Sequence, residues 1–280
     1  MTEPTLAIAF GGGGARGLAH IHVIKALEEL GVKPVAISGT SIGSIMGAGL
    51  ASGMDANDIR NFAIDTLTDP SEVLSRFWSM RPAKIGEIFS PPRAMLGNVN
   101  PIKAVRAFLP EQIPARFEDL GIALQTVATD FYGQKPVIHD AGDLIEALGA
   151  SSALPAIFKP VQRDGMSLVD GGLVNAVPYE LLFDKADIVV AVDVVGGPVR
   201  SRRETPTRLE ALAGASQLMM QATTQLKRRM QPPAAFITPP VGGIAVLDFY
   251  KARSILDDTI ATVELTKRAV EEAYVSKRKG

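Results

Sequence analysis

A serine flanked by glycines stands where a predicted strand turns into a predicted helix. Residues 39–43 have the sequence GTSIG, which places Ser41 between Gly39 and Gly43. A serine on such a sharp turn exposes its hydroxyl at the edge of a sheet, and the small residues on either side leave room for the strained backbone. The hydroxyl would also lie at a helix N-terminus, where the peptide dipoles favour developing negative charge. The pattern predicts a nucleophilic serine, although a glycine-rich turn that opens a packed helix is the alternative.

An aspartate follows a short apolar run much later in the chain. Asp170 comes directly after the predicted strand 166–169 and is followed by Gly171 and Gly172. A serine hydroxyl is a poor nucleophile until a base accepts its proton. A carboxylate is a weak base at its ordinary pKa of ~3.9, and an apolar site would raise that pKa. Asp170 is therefore the predicted base, and an ordinary Asp-Gly turn is the alternative.

A third glycine-rich segment lies between the predicted strand 5–10 and the predicted helix 15–30. Glycines occupy positions 11–14 and 17, and glycine lets backbone N–H groups approach a ligand oxygen closely. The same pattern begins a dinucleotide-binding fold, but that fold needs an acidic residue at the end of the second strand. Here the second strand runs into the GTSIG turn and has no acid. The missing acid counts against nucleotide binding and leaves a loop that can bind an anion through its N–H groups; a non-catalytic nucleotide- or anion-binding regulatory module is one hypothesis for the chain.

The predicted elements place these motifs on an α/β fold. From residue 5 onward the order is strand, glycine loop, helix, strand, turn and helix, with further strands at 122–131, 135–139 and 187–195. Helices are predicted at about 207–230 and 248–276. This order predicts a three-layer α/β/α sandwich around a largely parallel sheet. No linker divides the 280 residues, so we expect one domain that includes the C-terminal helices.

Together the three motifs, in this order, resemble the patatin-like phospholipase family, and in particular its single-domain bacterial-type members. The resemblance covers about residues 5–195. It implies a serine acyl-ester hydrolase that acts on lipids through a Ser-Asp dyad and a covalent acyl-enzyme, without a metal or an organic cofactor. The residues that it identifies are the catalytic Ser41 and Asp170, the oxyanion-hole Gly12, Gly13 and Gly14, and the motif residues Arg16, Gly17, Gly39, Gly43, Gly171 and Gly172.

Three further features each have two interpretations. Arg16 either anchors the glycine loop from a buried position or contacts a substrate phosphate. Residues 77–96 gather apolar side chains, among them Trp78, between loop-forming prolines, as in a mobile lid or in a packed insertion. The apolar residues at helical spacing between 209 and 230 favour a core or a subunit contact over a lipid surface.

The composition limits the kinds of partner. A formal net charge of −1 argues against nucleic acid or a strongly anionic membrane as the dominant partner. The absence of cysteine excludes disulfides and thiolate chemistry, and it fits a reducing cytoplasm. We expect neither a signal peptide nor a transmembrane helix, and therefore a cytoplasmic protein whose membrane contact, if any, is peripheral. The oligomeric state is open.

Histidine is expected to be dispensable for catalysis. In the α/β-hydrolase order the base histidine follows the acid, whereas His20, His22 and His139 all precede Asp170. Replacing each histidine by alanine or glutamine should leave kcat within about tenfold of the wild type, because loss of a true catalytic base costs about 10²–10⁴. A collapse of kcat in a folded His20 or His139 variant would contradict the dyad.

Overall fold

The computed structural model of the chain describes residues 3–69, 99–198 and 205–279, which form one eight-stranded sheet with flanking helices. The strands are β1 (Leu6–Phe10), β2 (Ala36–Thr40), β3 (Ala123–Asp130), β4 (Lys135–His139), β5 (Val161–Arg163), β6 (Met166–Asp170), β7 (Ile188–Val192) and β8 (Ala235–Ile237). The helices are α1 (His20–Glu29), α2 (Ile42–Ala51), α3 (Ala56–Leu67), α4 (Pro101–Ala107), α5 (Leu144–Ser151), α6 (Arg208–Met230), α7 (Ala252–Asp258) and α8 (Thr262–Lys279).

The sheet is parallel at its centre and antiparallel at one side. Its order is β5-β6-β3-β2-β1-β7-β8, and β4 also pairs with β3. The five strands from β3 to β8 in this order run parallel, whereas β4 and β6 are antiparallel to β3 and β5 is antiparallel to β6. The predicted fold class is confirmed: most strands are parallel, and the central ones are continuous apolar runs because both faces are covered.

The side chains of β1 show how the two faces are covered. Leu6, Ile8 and Phe10 point into the large cluster formed with α1, α2, α3 and α8. Ala7 and Ala9 point to the other face, where they pack with a smaller cluster from the chain between β6 and β7. Alternate residues of a strand face opposite sides of the sheet, so a strand with two apolar faces must lie between two layers.

The pairing register of β3 places β2 and β6 end to end along the same edge of that strand. Residues 126–127 of β3 pair with both β2 and β4, and residues 128–130 pair with both β4 and β6. A strand has two edges, so β2 and β6 must share the edge opposite β4. On that edge Thr40, the last residue of β2, pairs with Val127, and Asp170, the last residue of β6, pairs with Ala128. The ends that carry Ser41 and Asp170 therefore meet at the middle of β3.

Several elements differ in extent from their predicted bounds. The predicted helix 15–30 begins as a 3-10 turn, Gly14–Ala19, before α1 continues it to Glu29. A second 3-10 turn, Tyr179–Leu182, lies between β6 and β7. Tight 3-10 turns are common at helix ends and as short connectors, and apolar spacing alone does not distinguish them from an α-helix.

The long helix α6 corrects one sequence interpretation. Leu212, Met219, Leu226 and Met230 were expected in a core or in a subunit contact; they are 59–73% exposed, which excludes the core. Met220 is the residue that turns inward, where it packs on the face of the sheet that holds Ala7 and Ala9. The exposed four residues, which we call the α6 stripe, are spaced by seven and then four positions, so they follow one face of the helix.

The predicted lid at 77–96 lies outside the described residues. Among the helices of the described ranges, none is long and apolar enough to cross a membrane.

Candidate active site

Ser41 occupies a backbone conformation that few side chains tolerate. Its φ is 54° and its ψ is −125°, at the junction between β2 and α2. A positive φ in a residue other than glycine costs free energy and persists only where the surroundings enforce it. The turn can close only because residues 39 and 43 have no Cβ. A Cβ on Gly43 would collide with the carbonyl of Phe10, and a Cβ on Gly39 would lie 2.6 Å from the carbonyl oxygen of Gly43. The glycines at these two positions allow α2 to start directly behind β1.

Ser151 supports the turn from below, a role that the sequence analysis did not predict. The N–H of Ser41 donates to Ser151 Oγ (2.9 Å), and that hydroxyl donates to the carbonyl of Val127 (2.6 Å). Ser151 is the last residue of α5 and is fully buried. The backbone of the strained residue is thus tied to the middle of β3. The only signal in the sequence was a small-residue segment, 150–155, before the Asp-Gly-Gly motif.

Asp170 is a buried carboxyl group beside Ser41. The residue is 5% exposed, and its Oδ1 accepts a hydrogen bond from the N–H of Gly172 (2.8 Å). Burial raises the pKa of Asp170 from 3.8 to about 6, while hydrogen bonds from the Ser41 side chain and the Gly172 N–H act to lower it. The site therefore brings together the two predicted catalytic side chains and strengthens Asp170 as a base.

The glycine loop lies against the Ser41 side chain. A Cβ on Gly12 would be 3.4 Å from the Cβ of Ser41. The N–H of Gly12 donates to the carbonyl of Ala176 (2.9 Å), so in this structure it is not free to act as the oxyanion donor that the sequence analysis expected. Across residues 3–69, 99–198 and 205–279, no carbonyl accepts from the N–H of Gly13 or Gly14. These two groups remain as candidate donors.

Arg16 anchors the loop. Its side chain is 1% exposed and donates to three carbonyls, from Nε to Ile244 (2.7 Å), from Nη1 to Val195, and from Nη2 to Gly197 (3.1 Å). Burial lowers the pKa of the guanidinium. Of the two interpretations of Arg16, the structure supports the buried structural one.

Among the described residues, none of the three histidine rings is hydrogen-bonded to Asp170. His20 is fully buried with Nε2 on the carbonyl of Gly11 (2.9 Å), and burial lowers its pKa to about 4. His22 Nε2 lies 2.8 Å from the carbonyl of Leu256. Burial also lowers the pKa of His139 to about 4. The hydrogen bonds that act on the Asp170 carboxyl come from Ser41 and Gly172.

The raised pKa of Asp170 predicts a pH-dependent stability change. The unfolded carboxyl ionises near 3.8 and the folded one near 6, so the folded state loses stability relative to the unfolded state as pH rises between these values. Asp170→Asn removes this loss and should raise the free energy of unfolding by up to roughly 3 kcal/mol at about pH 8, but by much less at about pH 4. Denaturant unfolding at both pH values measures the difference. An equal change at both would mean that packing, and not ionisation, is responsible.

The chain is similar in sequence to proteins from bacteria and mammals. An uncharacterised NTE family protein of Mycobacterium tuberculosis is 34% identical over 216 residues, which are 74% of this chain and 54% of that protein. Human patatin-like phospholipase domain-containing protein 6 is 33% identical over 198 residues, which are 69% of this chain and 14% of that protein. The chain thus spans about half of the mycobacterial relative and a small part of the human one.

The fold has a counterpart among solved structures. VipD from Legionella pneumophila superposes with a TM-score of 0.53 at 16% identity, over 99% of this chain and 67% of that one. The sequence model of the patatin-like phospholipases matches residues 8–183, the part of the chain that holds the glycine loop, the Ser41 turn and Asp170. The chain belongs to the patatin-like phospholipase family.

Proposed function

We propose that this protein is a serine hydrolase of lipid acyl esters that works through Ser41 and Asp170. The family supports lipid acyl hydrolysis. The observation that supports the assignment of Ser41 and Asp170 is their pairing. Ser41 has a strained backbone, and its hydroxyl is hydrogen-bonded to the buried Asp170 carboxyl, whose pKa is raised. A glycine loop lies directly against that serine, and two of its N–H groups, those of Gly13 and Gly14, have no backbone acceptor among the described residues.

The first half-reaction transfers the acyl group to the protein. Ser41 Oγ attacks the ester carbonyl while the ionised Asp170 accepts the hydroxyl proton. The carbonyl oxygen becomes negative, and the N–H groups of Gly13 and Gly14 stabilise it, because preformed donors cost no reorganisation during the reaction. When the intermediate collapses, the bond to the leaving oxygen breaks and Asp170 returns the proton to the departing alcohol or lysolipid.

The second half-reaction releases the acyl group. Asp170, again ionised, takes a proton from water, and the hydroxide attacks the acyl carbonyl of Ser41. The same N–H groups stabilise the second oxyanion. Collapse breaks the Ser41 ester, the proton passes from Asp170 to Ser41 Oγ, and the carboxylic acid leaves. Because one carboxyl group acts as base and then as acid in each half, its pKa near neutrality suits both roles.

Active-site labelling with a fluorophosphonate tests this proposal. The wild type should form an adduct on Ser41, and Ser41→Ala should neither label nor hydrolyse a soluble acyl ester, while keeping its unfolding temperature. Asp170→Asn should lose at least about 10²-fold in kcat, since the amide cannot accept a proton. Wild-type kcat should rise as the pH passes through about 6, because Asp170 ionises there. A wild type that takes no label but binds a nucleotide tightly would favour the regulatory module instead.

We further propose that the α6 stripe is the surface that meets lipid. Its helix adjoins the site, because a Cβ on Gly172 would lie 2.6 Å from Met220 Cε on the inner face of α6. Residues 211–226 carry no charge, and the exposed Arg228 and Arg229 lie close to their C-terminal end. An exposed apolar helix face with cationic residues at one end suits the boundary of an anionic bilayer. An interface of this kind would deliver lipid to the site without a membrane-spanning segment.

Sedimentation with anionic phospholipid vesicles tests the lipid surface. Leu226→Asp should weaken binding to the vesicles and hydrolysis of their lipids, because it places a charge at the apolar boundary. Hydrolysis of a soluble ester should stay at the wild-type rate. Val275→Asp is the matched control, since Val275 is also exposed, on α8. Unchanged vesicle binding by Leu226→Asp, or an equal loss in Val275→Asp, would exclude the stripe.

A further inference from the structure

The segment 175–178, between the Asp170 turn and β7, crosses the back of the active site. We call it the strap. The carbonyl of Asn175 accepts from Thr40 Oγ1 (2.8 Å), directly before the nucleophilic serine. The carbonyl of Ala176 accepts from the N–H of Gly12 (2.9 Å) in the glycine loop. The strap is therefore bonded to two of the three catalytic motifs.

The strap is also bonded to the third motif and to β2. The N–H of Asn175 donates to the carbonyl of Gly171 (2.9 Å), in the turn that follows the catalytic aspartate. At the other end of the strap, the carbonyl of Pro178 accepts from Ser38 Oγ (2.9 Å). One short piece of backbone thus links the nucleophile, the base and the oxyanion loop, which lie far apart in sequence.

A lysine on α6 holds the strap. Lys227 Nζ lies 2.6 Å from Asn175 Oδ1, 2.6 Å from the carbonyl of Val177 and 2.6 Å from Glu180 Oε2. The Asn175 Nδ2 group donates to the other carboxylate oxygen of Glu180 (2.5 Å). An ammonium group has three N–H donors and no acceptor. All three donors are therefore used, two on the strap and one on the acid that the strap side chain also binds.

Lys227 is largely withdrawn from water, so its bonds to the strap and to Glu180 replace its hydration. Its side chain is 21% exposed and lies 4.6 Å from the centre of the Tyr179 ring. A cation taken this far out of water is retained in a folded protein when its partners compensate for the lost hydration. The residue lies beyond the 8–183 segment that the family model matches, so its contribution to the site is visible in the structure alone.

We propose that Lys227 is a positioning residue for ester hydrolysis, which fixes the strap and through it the relative placement of Ser41, Asp170 and the glycine loop. The inference rests on the proposed function of that site. Lys227 makes no contact with the reacting atoms, so its effect should appear in the chemical step and not in substrate affinity. A displacement of about 1 Å in a catalytic group can cost about 10²-fold in rate.

Two variants of Lys227 and one control variant on α8 test the role with a soluble acyl ester. Lys227→Met keeps the apolar length but has no donors, and we expect kcat to fall about tenfold or more with KM within about twofold. The rate of fluorophosphonate labelling should fall by the same factor. Lys227→Arg, which retains charge and donors, should recover most of kcat. Lys279→Met, the control, makes the same substitution at an exposed lysine on α8 and should behave as wild type.

A folded Lys227→Met with kcat and labelling rate within about twofold of the wild type would overturn the proposal. If Lys227→Met does not fold, Glu180→Gln decides, because it keeps the shape of the acid and removes its charge. A loss of about threefold or more in both rates then supports the proposal, and unchanged rates overturn it. A wild type that neither labels nor hydrolyses would instead remove the proposed function, so the two failures are distinguishable.

Discussion

Backbone packed directly on backbone around Ser41 is the constraint on which the rest of the site depends. A Cβ on Gly43 would lie 2.6 Å from the carbonyl oxygen of Gly11, and one on Gly12 would lie 3.3 Å from that of Thr40. The first distance excludes a side chain and the second leaves almost no room for one, so the loop, the turn and β1 approach this closely through glycine. The strained φ of Ser41 persists because these close contacts prevent the backbone from relaxing to another conformation.

The electrostatics of the site follow from the same packing. Arg16 and Lys227 are cations held near the glycine loop and the strap, but both donate to carbonyl or amide oxygens there, and Lys227 also to Glu180. The pKa of Asp170 is raised by burial and lowered only by hydrogen bonds. A cation beside that carboxyl would favour its ionised form and weaken it as a base. Arg16 and Lys227 thus stabilise the loop and the strap, and burial is the main influence on the pKa of Asp170.

The features that could be predicted from the sequence are those that depend on short segments of chain, namely turns and buried strands. Glycine spacing around Ser41 and after Asp170 indicated turns, and the apolar runs of β1 and β7 indicated buried strands, because these depend on neighbouring residues. Long-range contacts could not be predicted in this way. Ser151 and Lys227 reach the site from α5 and α6 through single side chains, and their residue types carry no local signal. The exposure of Met219 likewise depends on what covers α6, which periodicity does not reveal.

Because β2 and β6 meet end to end on one edge of β3, strand register determines the distance between Ser41 and Asp170. Val127 and Ala128 are consecutive residues, and they fix the partners of Thr40 and Asp170. A slip of β6 by one residue would carry the carboxyl about 3.4 Å along the strand and turn it to the other face of the sheet. The length of chain between Ser41 and Asp170, by contrast, does not enter that distance. Insertions there lengthen or shorten the chain at a small entropic cost without separating the two side chains.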